Sequence, residues 1–163
     1  MKKVYISAQQ LLEDSFDLAL KIYESGFRPD YIVGVWRGGA PVGIAVQELL
    51  HVLGVESDHI AIRTSSYSGI GERRKNVKVH GLTYLIKRLE SEDSLLIVDD
   101  VHDTGLSIEQ TVLDIERACK KTRRTFASPR PITSLTIIKL SAPPITTYIK
   151  ATSGWSFPMS WTA

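Results

Sequence analysis

Cysteine is nearly absent from this chain: Cys119 is the only one in 163 residues. A single thiol excludes an internal disulfide framework and a cysteine-rich metal site. Long hydrophobic runs are missing as well, and none approaches the ~18 apolar residues that a membrane helix needs. The opening MKKVYISAQQ has two lysines but no apolar core of the kind a secretory signal carries. Neither sign of charge dominates: 20 Lys and Arg against 18 Asp and Glu leave a net charge of +2. That is too little to argue for nucleic acid by itself. His51, His59, His80 and His102 show no metal-ligand spacing. A soluble cytoplasmic protein with no membrane segment is the expectation. With 43% hydrophobic and 23% charged residues, the chain suits one domain, 1–163, with a real core.

Strand-like and helix-like segments alternate along it, with no internal repeat. Ser7 and Gln10 fit a capping box, after which Leu12, Phe16, Ala19 and Tyr23 recur at helical spacing up to Gly26. DYIVGV at 30–35 reads as a buried strand, Arg37-Gly38-Gly39 as a turn, and Pro41 as the first turn of a helix reaching about Leu53. HIAIRT at 59–64 reads as a second strand. Residues 65–78 are polar and read as a long loop, and loops of that length in compact domains usually carry function. A short strand near 77–80 and a helix over 82–90 follow. The strand at 94–98 is the clearest of all. Ser107 and Gln110 fit a second capping box, with Ile108, Val112, Ile115 and Cys119 on the buried face of the helix. KKTRRTFASPRP at 120–131 reads as a basic loop, and SLTIIK at 134–139 and TTYIK at 146–150 as further strands. This order predicts an α/β fold with a mainly parallel sheet flanked by helices. Ligands of such sheets sit beyond the carboxyl ends of the strands. Residues 99–107, 37–39 and Lys139 are all expected at such ends.

The stretch LLIVDDVHDTGLS, 95–107, ends an apolar strand on Asp99 and Asp100 and then makes a turn of small hydrogen-bonding residues. Backbone N–H groups at a helix start, with the Thr104 and Ser107 hydroxyls, can cradle a phosphate. It is not a Walker A loop, because that glycine-lysine pattern is missing. Carboxylates beside such a cradle suit sugar hydroxyls or a hydrated Mg²⁺. Together they describe a site for a sugar phosphate. One acid there would be an ordinary cap; three acids with Thr-Gly and Ser in one turn exceed what capping requires.

This stretch resembles the phosphoribosyl-pyrophosphate (PRPP) motif of the type I phosphoribosyltransferases: apolar strand, two acids, two variable residues, then D-T-G-x-[ST]. Other segments follow in the family's order. IVGVWRGGAPVG at 32–43 resembles its pyrophosphate loop, and SSYSG at 65–69 the start of its mobile loop. Lys139 stands where the 6-oxopurine branch has a purine-binding lysine. GWSFPMSW at 154–161 resembles that branch's aromatic hood, although its Trp-to-Pro and Pro-to-Trp spacings differ from the usual ones. The resemblance is to the short xanthine–guanine and hypoxanthine–guanine enzymes, with a mobile loop at about 65–78 and a small C-terminal hood at about 140–163.

The resemblance implies roles. Asp99 and Asp100 would hold the ribose hydroxyls of PRPP and Mg²⁺, directly or through water. Asp103, Thr104, Gly105, Leu106 and Ser107 would hold the 5′-phosphate. Asp103 would also face N7 of the purine as general base or charge stabiliser. Arg37 and Gly38 would bind pyrophosphate. Ser66 and Tyr67 would close over the site, and Arg73, Arg74 or Lys75 would reach the pyrophosphate. Lys139 would donate to the 6-oxo group, and Trp155 or Phe157 would stack on the base. The implied activity is purine salvage: a 6-oxopurine (hypoxanthine, guanine or xanthine) and PRPP give a nucleoside monophosphate and pyrophosphate, with Mg²⁺ as cofactor, in a homodimer or homotetramer. Two alternatives share the fold: a phosphoribosyltransferase for another base, and a PRPP-sensing regulator that binds nucleic acid. The small net charge disfavours the second.

Overall fold

The structure, a computed structural model, describes residues 6–67, 76–90, 93–100, 106–125, 136–142 and 145–151. The elements are α1 (Ala8–Glu24), β1 (Tyr31–Trp36), α2 (Gly39–Val52), β2 (Asp58–Tyr67), β3 (Asn76–His80), α3 (Thr83–Arg88), β4 (Leu95–Asp99), α4 (Leu106–Thr125), β5 (Thr136–Ala142) and β6 (Ile145–Ala151). Among the described residues the strands form one sheet in the order β3-β2-β1-β4-β6-β5. The strands that flank the turns of interest, β2, β1 and β4, run parallel. β3 is added antiparallel at one side, and the β5–β6 hairpin at the other, antiparallel to β4 through β6. No described helix is long and apolar enough to cross a membrane.

The apolar runs of β1 and β4 follow from burial on both faces, where a strand needs no polar alternation. Ile32, Leu96 and Val98 point into one cluster with Leu18 and Ile22 of α1 and Val46 and Leu50 of α2. Val33, Val35, Leu95 and Ile97 point the other way, onto Leu85 of α3 and Ile108, Val112 and Ile115 of α4. The sheet is therefore the middle of three layers, and its central strands cannot shift register without burying polar groups.

Several boundaries differ from the expectation. In α1 the Ser7 hydroxyl does cap the helix, accepting from the Gln10 backbone N–H at 3.0 Å. The Gln10 amide, however, donates onward to Asp14 Oδ1 at 2.9 Å rather than closing the box. The buried face of α1 is Ser15, Leu18, Ala19 and Ile22. Of the four residues at helical spacing, Ala19 is in the core and Tyr23 packs against it, whereas Leu12 and Phe16 remain 41% and 37% exposed. Ser15 tolerates burial because its hydroxyl donates to the Leu11 carbonyl at 2.6 Å. β2 reaches Tyr67 and β3 starts at Asn76, because residues 63–67 pair with 76–80. The expected loop at 65–78 is thus strand at both ends. α4 opens at Leu106, which makes Ser107 a helical residue rather than its cap, and the Gln110 side chain donates to Asp114 instead. The same helix runs to Thr125 and absorbs the first half of the expected basic loop. Lys and Arg are good helix formers, and a helix C-terminus favours their charge. Residues 140–142 and 145–151, expected within the hood, are strand in the main sheet.

Candidate functional site

β1 and β4 lie side by side, in register from Tyr31↔Leu95 to Gly34↔Val98, so their carboxyl ends are neighbours. Beyond them the chain makes two turns. β4 ends on Asp99, and Asp100 follows it. After β1 come Arg37 and Gly38, following a cis Trp36–Arg37 peptide, and α2 begins at Gly39. The two turns touch. A Cβ on Gly39 would overlap the Val98 carbonyl oxygen and lie 2.9 Å from the Asp99 Cα. A Cβ on Gly38 would fall on the Asp100 carboxylate. Glycine at both positions is what lets the start of α2 sit against the end of β4.

That contact has an electrostatic meaning. The N-cap Gly38 gives α2 no side-chain cap, and the Ala40 N–H donates to the Arg37 carbonyl at 3.3 Å. A helix start left this way is an anion-binding end. Two carboxylates stand beside it, and they are not equivalent to free acids. Burial, reinforced by the hydrogen bond and charge of Asp100, pushes the Asp99 carboxyl up to about 7. The Asp100 N–H donates to Asp99 Oδ1 at 3.0 Å, which partly offsets this. The pair is a site where a cation or a hydroxyl donor relieves repulsion. Mg²⁺ is commonly held by one or two carboxylates plus substrate oxygens and water, and this pair fits that donor set. Among the described residues no group of three or more His, Cys, Asp or Glu could form a metal cage on its own.

On the other side of β1, a cavity of about 400 Å³ is lined by Trp36, Arg37, Arg63 and Thr64. Trp36 and Arg63 are register partners on parallel neighbours. Arg63 and Thr64 were not expected at the site, because residues 65–78 drew attention as a loop. Yet they follow the apolar HIAI as Arg37 follows β1, and strand-end placement was the available signal.

Of the expected residues, the structure brings Arg37, Gly38, Asp99 and Asp100 together. Leu106 and Ser107 open α4, the helix that follows Asp100 in the chain. Ser66 and Tyr67 are the last two residues of β2, paired with Val77 and Asn76. Lys139 needs a correction. It does not end its strand; β5 continues through Ala142, because the ladder with β6 closes at Ala142↔Ile145. Through β6, Lys139 is level with Ile97, and it is Ser141 that is level with Asp99. The two levels are two residues apart, roughly 7 Å along the strand. Asp103, Thr104, Gly105, Arg73, Arg74, Lys75, Trp155 and Phe157 lie outside the described residues, as do the side chains of Ser66, Tyr67, Leu106, Ser107, Cys119 and Lys139.

Residues 5–119 match the model of the phosphoribosyl transferase domain family. Among solved structures, the chain is similar to a purine phosphoribosyltransferase from Pyrococcus horikoshii Ot3, with 29% identity, a TM-score of 0.57, and 72% of this chain and 71% of that one covered. It shares its fold with a hypothetical protein from Neisseria gonorrhoeae with bound ppGpp, at 20% identity, a TM-score of 0.57, and 72% of this chain and 65% of that one covered. Among curated protein sequences none matches.

Proposed function

Since the chain belongs to the phosphoribosyl transferase domain family, we propose that it transfers the phosphoribosyl group of PRPP to a 6-oxopurine, releasing pyrophosphate. The observation that carries this reading is the contact of Gly38 with Asp100, which sets the N-cap of α2, one residue after Arg37, against the carboxylate that follows β4. An anion at the helix start and a polyol at the carboxylates would lie within one side-chain length of each other, as one molecule of PRPP requires. The purine phosphoribosyltransferase among the similar structures supports a purine as acceptor.

In this reading Asp99 and Asp100 accept from the ribose hydroxyls; the same two carboxylates would hold Mg²⁺, which would supply positive charge to screen a leaving diphosphate. Arg37 and the Gly38 backbone hold that diphosphate, and residues 103–107 hold the 5′-phosphate. The bond from C1 of the ribose to the pyrophosphate oxygen breaks, and its electron pair leaves with pyrophosphate. A purine ring nitrogen bonds to C1, and its proton passes to Asp103 or to solvent. Positive charge develops at C1, so fixed carboxylates and exact positioning of the two partners contribute more than a nucleophilic side chain could. Ser66 and Tyr67 exclude water, and Lys139 with Trp155 or Phe157 reads the base.

The test is incubation with PRPP, Mg²⁺ and a panel of free bases, reading nucleotide and pyrophosphate. Product from hypoxanthine, guanine or xanthine but not adenine is expected. Product from adenine alone would overturn the 6-oxopurine assignment, and no product from any base would overturn the whole reading.

A further inference from the structure

The cavity beyond β1 is not explained by Arg37 and Gly38. Its second cation, Arg63, lies on β2 at the level of Trp36, next to Arg37. Among the described residues neither arginine is in an ion pair; the two salt bridges there join His51 to Glu56 and Arg117 to Asp114. The groups around Arg63 do not neutralise it. Its partner across the β2–β3 ladder is His80, whose Nε2 lies 3.2 Å from the Ser65 hydroxyl, and Ser65 itself pairs with Lys78. Among the described residues, Arg37 and Arg63 therefore line, with Trp36 and Thr64, a cavity that has no acid in its lining, and guanidinium forks are matched to phosphate oxygens.

The order of the strands gives these groups a sequence in space. Asp99 and Asp100 end β4, Arg37 follows β1, and Arg63 lies on β2, on consecutive strands of the sheet. At the usual strand separation the row spans about 10 Å. That is the reach of a pentose followed by two phosphates. We propose that Arg63 is a pyrophosphate-binding residue that holds the terminal phosphate of the donor, so that the site selects a 1-diphosphate over a 1-monophosphate. This rests on the PRPP reading and adds to it a determinant of donor specificity.

The experiment compares wild type with Arg63→Gln and Arg63→Lys in inhibition by pyrophosphate and by orthophosphate, and in KM for PRPP and for the purine. Arg63→Gln should weaken pyrophosphate and raise KM for PRPP about tenfold or more, the loss of one charge-assisted contact. Orthophosphate inhibition and the purine KM should stay within about twofold, and Arg63→Lys should recover only part of the loss, because it restores charge without the fork. A merely structural arginine would not separate pyrophosphate from orthophosphate. A second measurement needs no variant: the Arg63 Nε resonance of wild type should shift on titration with pyrophosphate and much less with orthophosphate. Unchanged pyrophosphate inhibition in a folded Arg63→Gln, or an Arg63 resonance indifferent to pyrophosphate, would overturn the assignment. These outcomes are distinct from failure of the parent reading, in which wild type itself makes no nucleotide.

Discussion

Gly38 and Gly39 are adjacent and both lack room for a side chain, but the obstacle differs. At Gly39 it is backbone, the Val98 carbonyl and the Asp99 Cα, which cannot step aside. At Gly38 it is the carboxylate of Asp100, a side chain that can rotate. Gly39→Ala is therefore a stability variant, and overpacking of this kind costs about 1–3 kcal/mol; chemical denaturation measures it. Gly38→Ala should melt close to wild type yet lose PRPP binding, because the displaced carboxylate is one that the proposed function assigns to the sugar; calorimetric titration with PRPP and Mg²⁺ separates the two effects. Asp99 yields a prediction in pH. Its folded pKa of about 7 lies above the ordinary value of 3.8. A raised carboxyl contributes stability that is fully present below the lower value and is lost as pH rises through the higher one. His59 acts in the opposite direction: burial lowers its pKa, so its contribution is lost as pH falls. The difference between wild type and Asp99→Asn isolates the carboxyl. Relative to the variant, wild type should lose urea resistance from pH 4 to pH 8 without Mg²⁺, and saturating Mg²⁺ at pH 8 should restore it.

At the scale of elements, the account separates two apolar sets that look alike in sequence. Leu96 of β4 is fully buried between α1 and α2, whereas Phe16 of α1 is 37% exposed. Leu96→Ala should cost about 2–5 kcal/mol as a core truncation. Phe16→Ser, at a half-covered position, should cost about 1 kcal/mol, less than the core truncation. Equal losses in a denaturant series would contradict the layer assignment. Element type was legible from the sequence wherever one constraint dominated: β1 and β4 announced themselves as unbroken apolar runs because both their faces are covered. Ends were less legible, because they depend on partners. β2 is prolonged to Tyr67 only by its antiparallel mate β3, and β5 outlasts Lys139 only by its mate β6, and neither pairing leaves a local signature. The same holds for the site. Asp99, Asp100, Arg37 and Gly38 could be named from the pattern of strand followed by polar turn. Arg63 carried only the weaker signal of following an apolar run, and it is the pairing of β2 with β1 that sets it level with Trp36.

On the scale of the whole molecule, the proposed function follows from the adjacency of parallel strands at the centre of a mixed sheet. The turns after β1 and β4 are separated by some sixty residues of sequence and meet because those two strands are hydrogen-bonded neighbours. Helices on both faces bury the sheet and leave its carboxyl edge as the place where unpaired backbone donors, carboxylates and guanidinium groups collect. Membership of the phosphoribosyl transferase domain family agrees with that edge as the seat of a sugar-phosphate donor. The measurement that reaches this claim most directly is a crystal structure of the protein with PRPP and Mg²⁺. The account predicts the ribose hydroxyls on Asp99 and Asp100 and the diphosphate on Arg37 and the Gly38 backbone. PRPP bound away from both turns, with Asp100 still resting on Gly38 and no ligand between them, would contradict it.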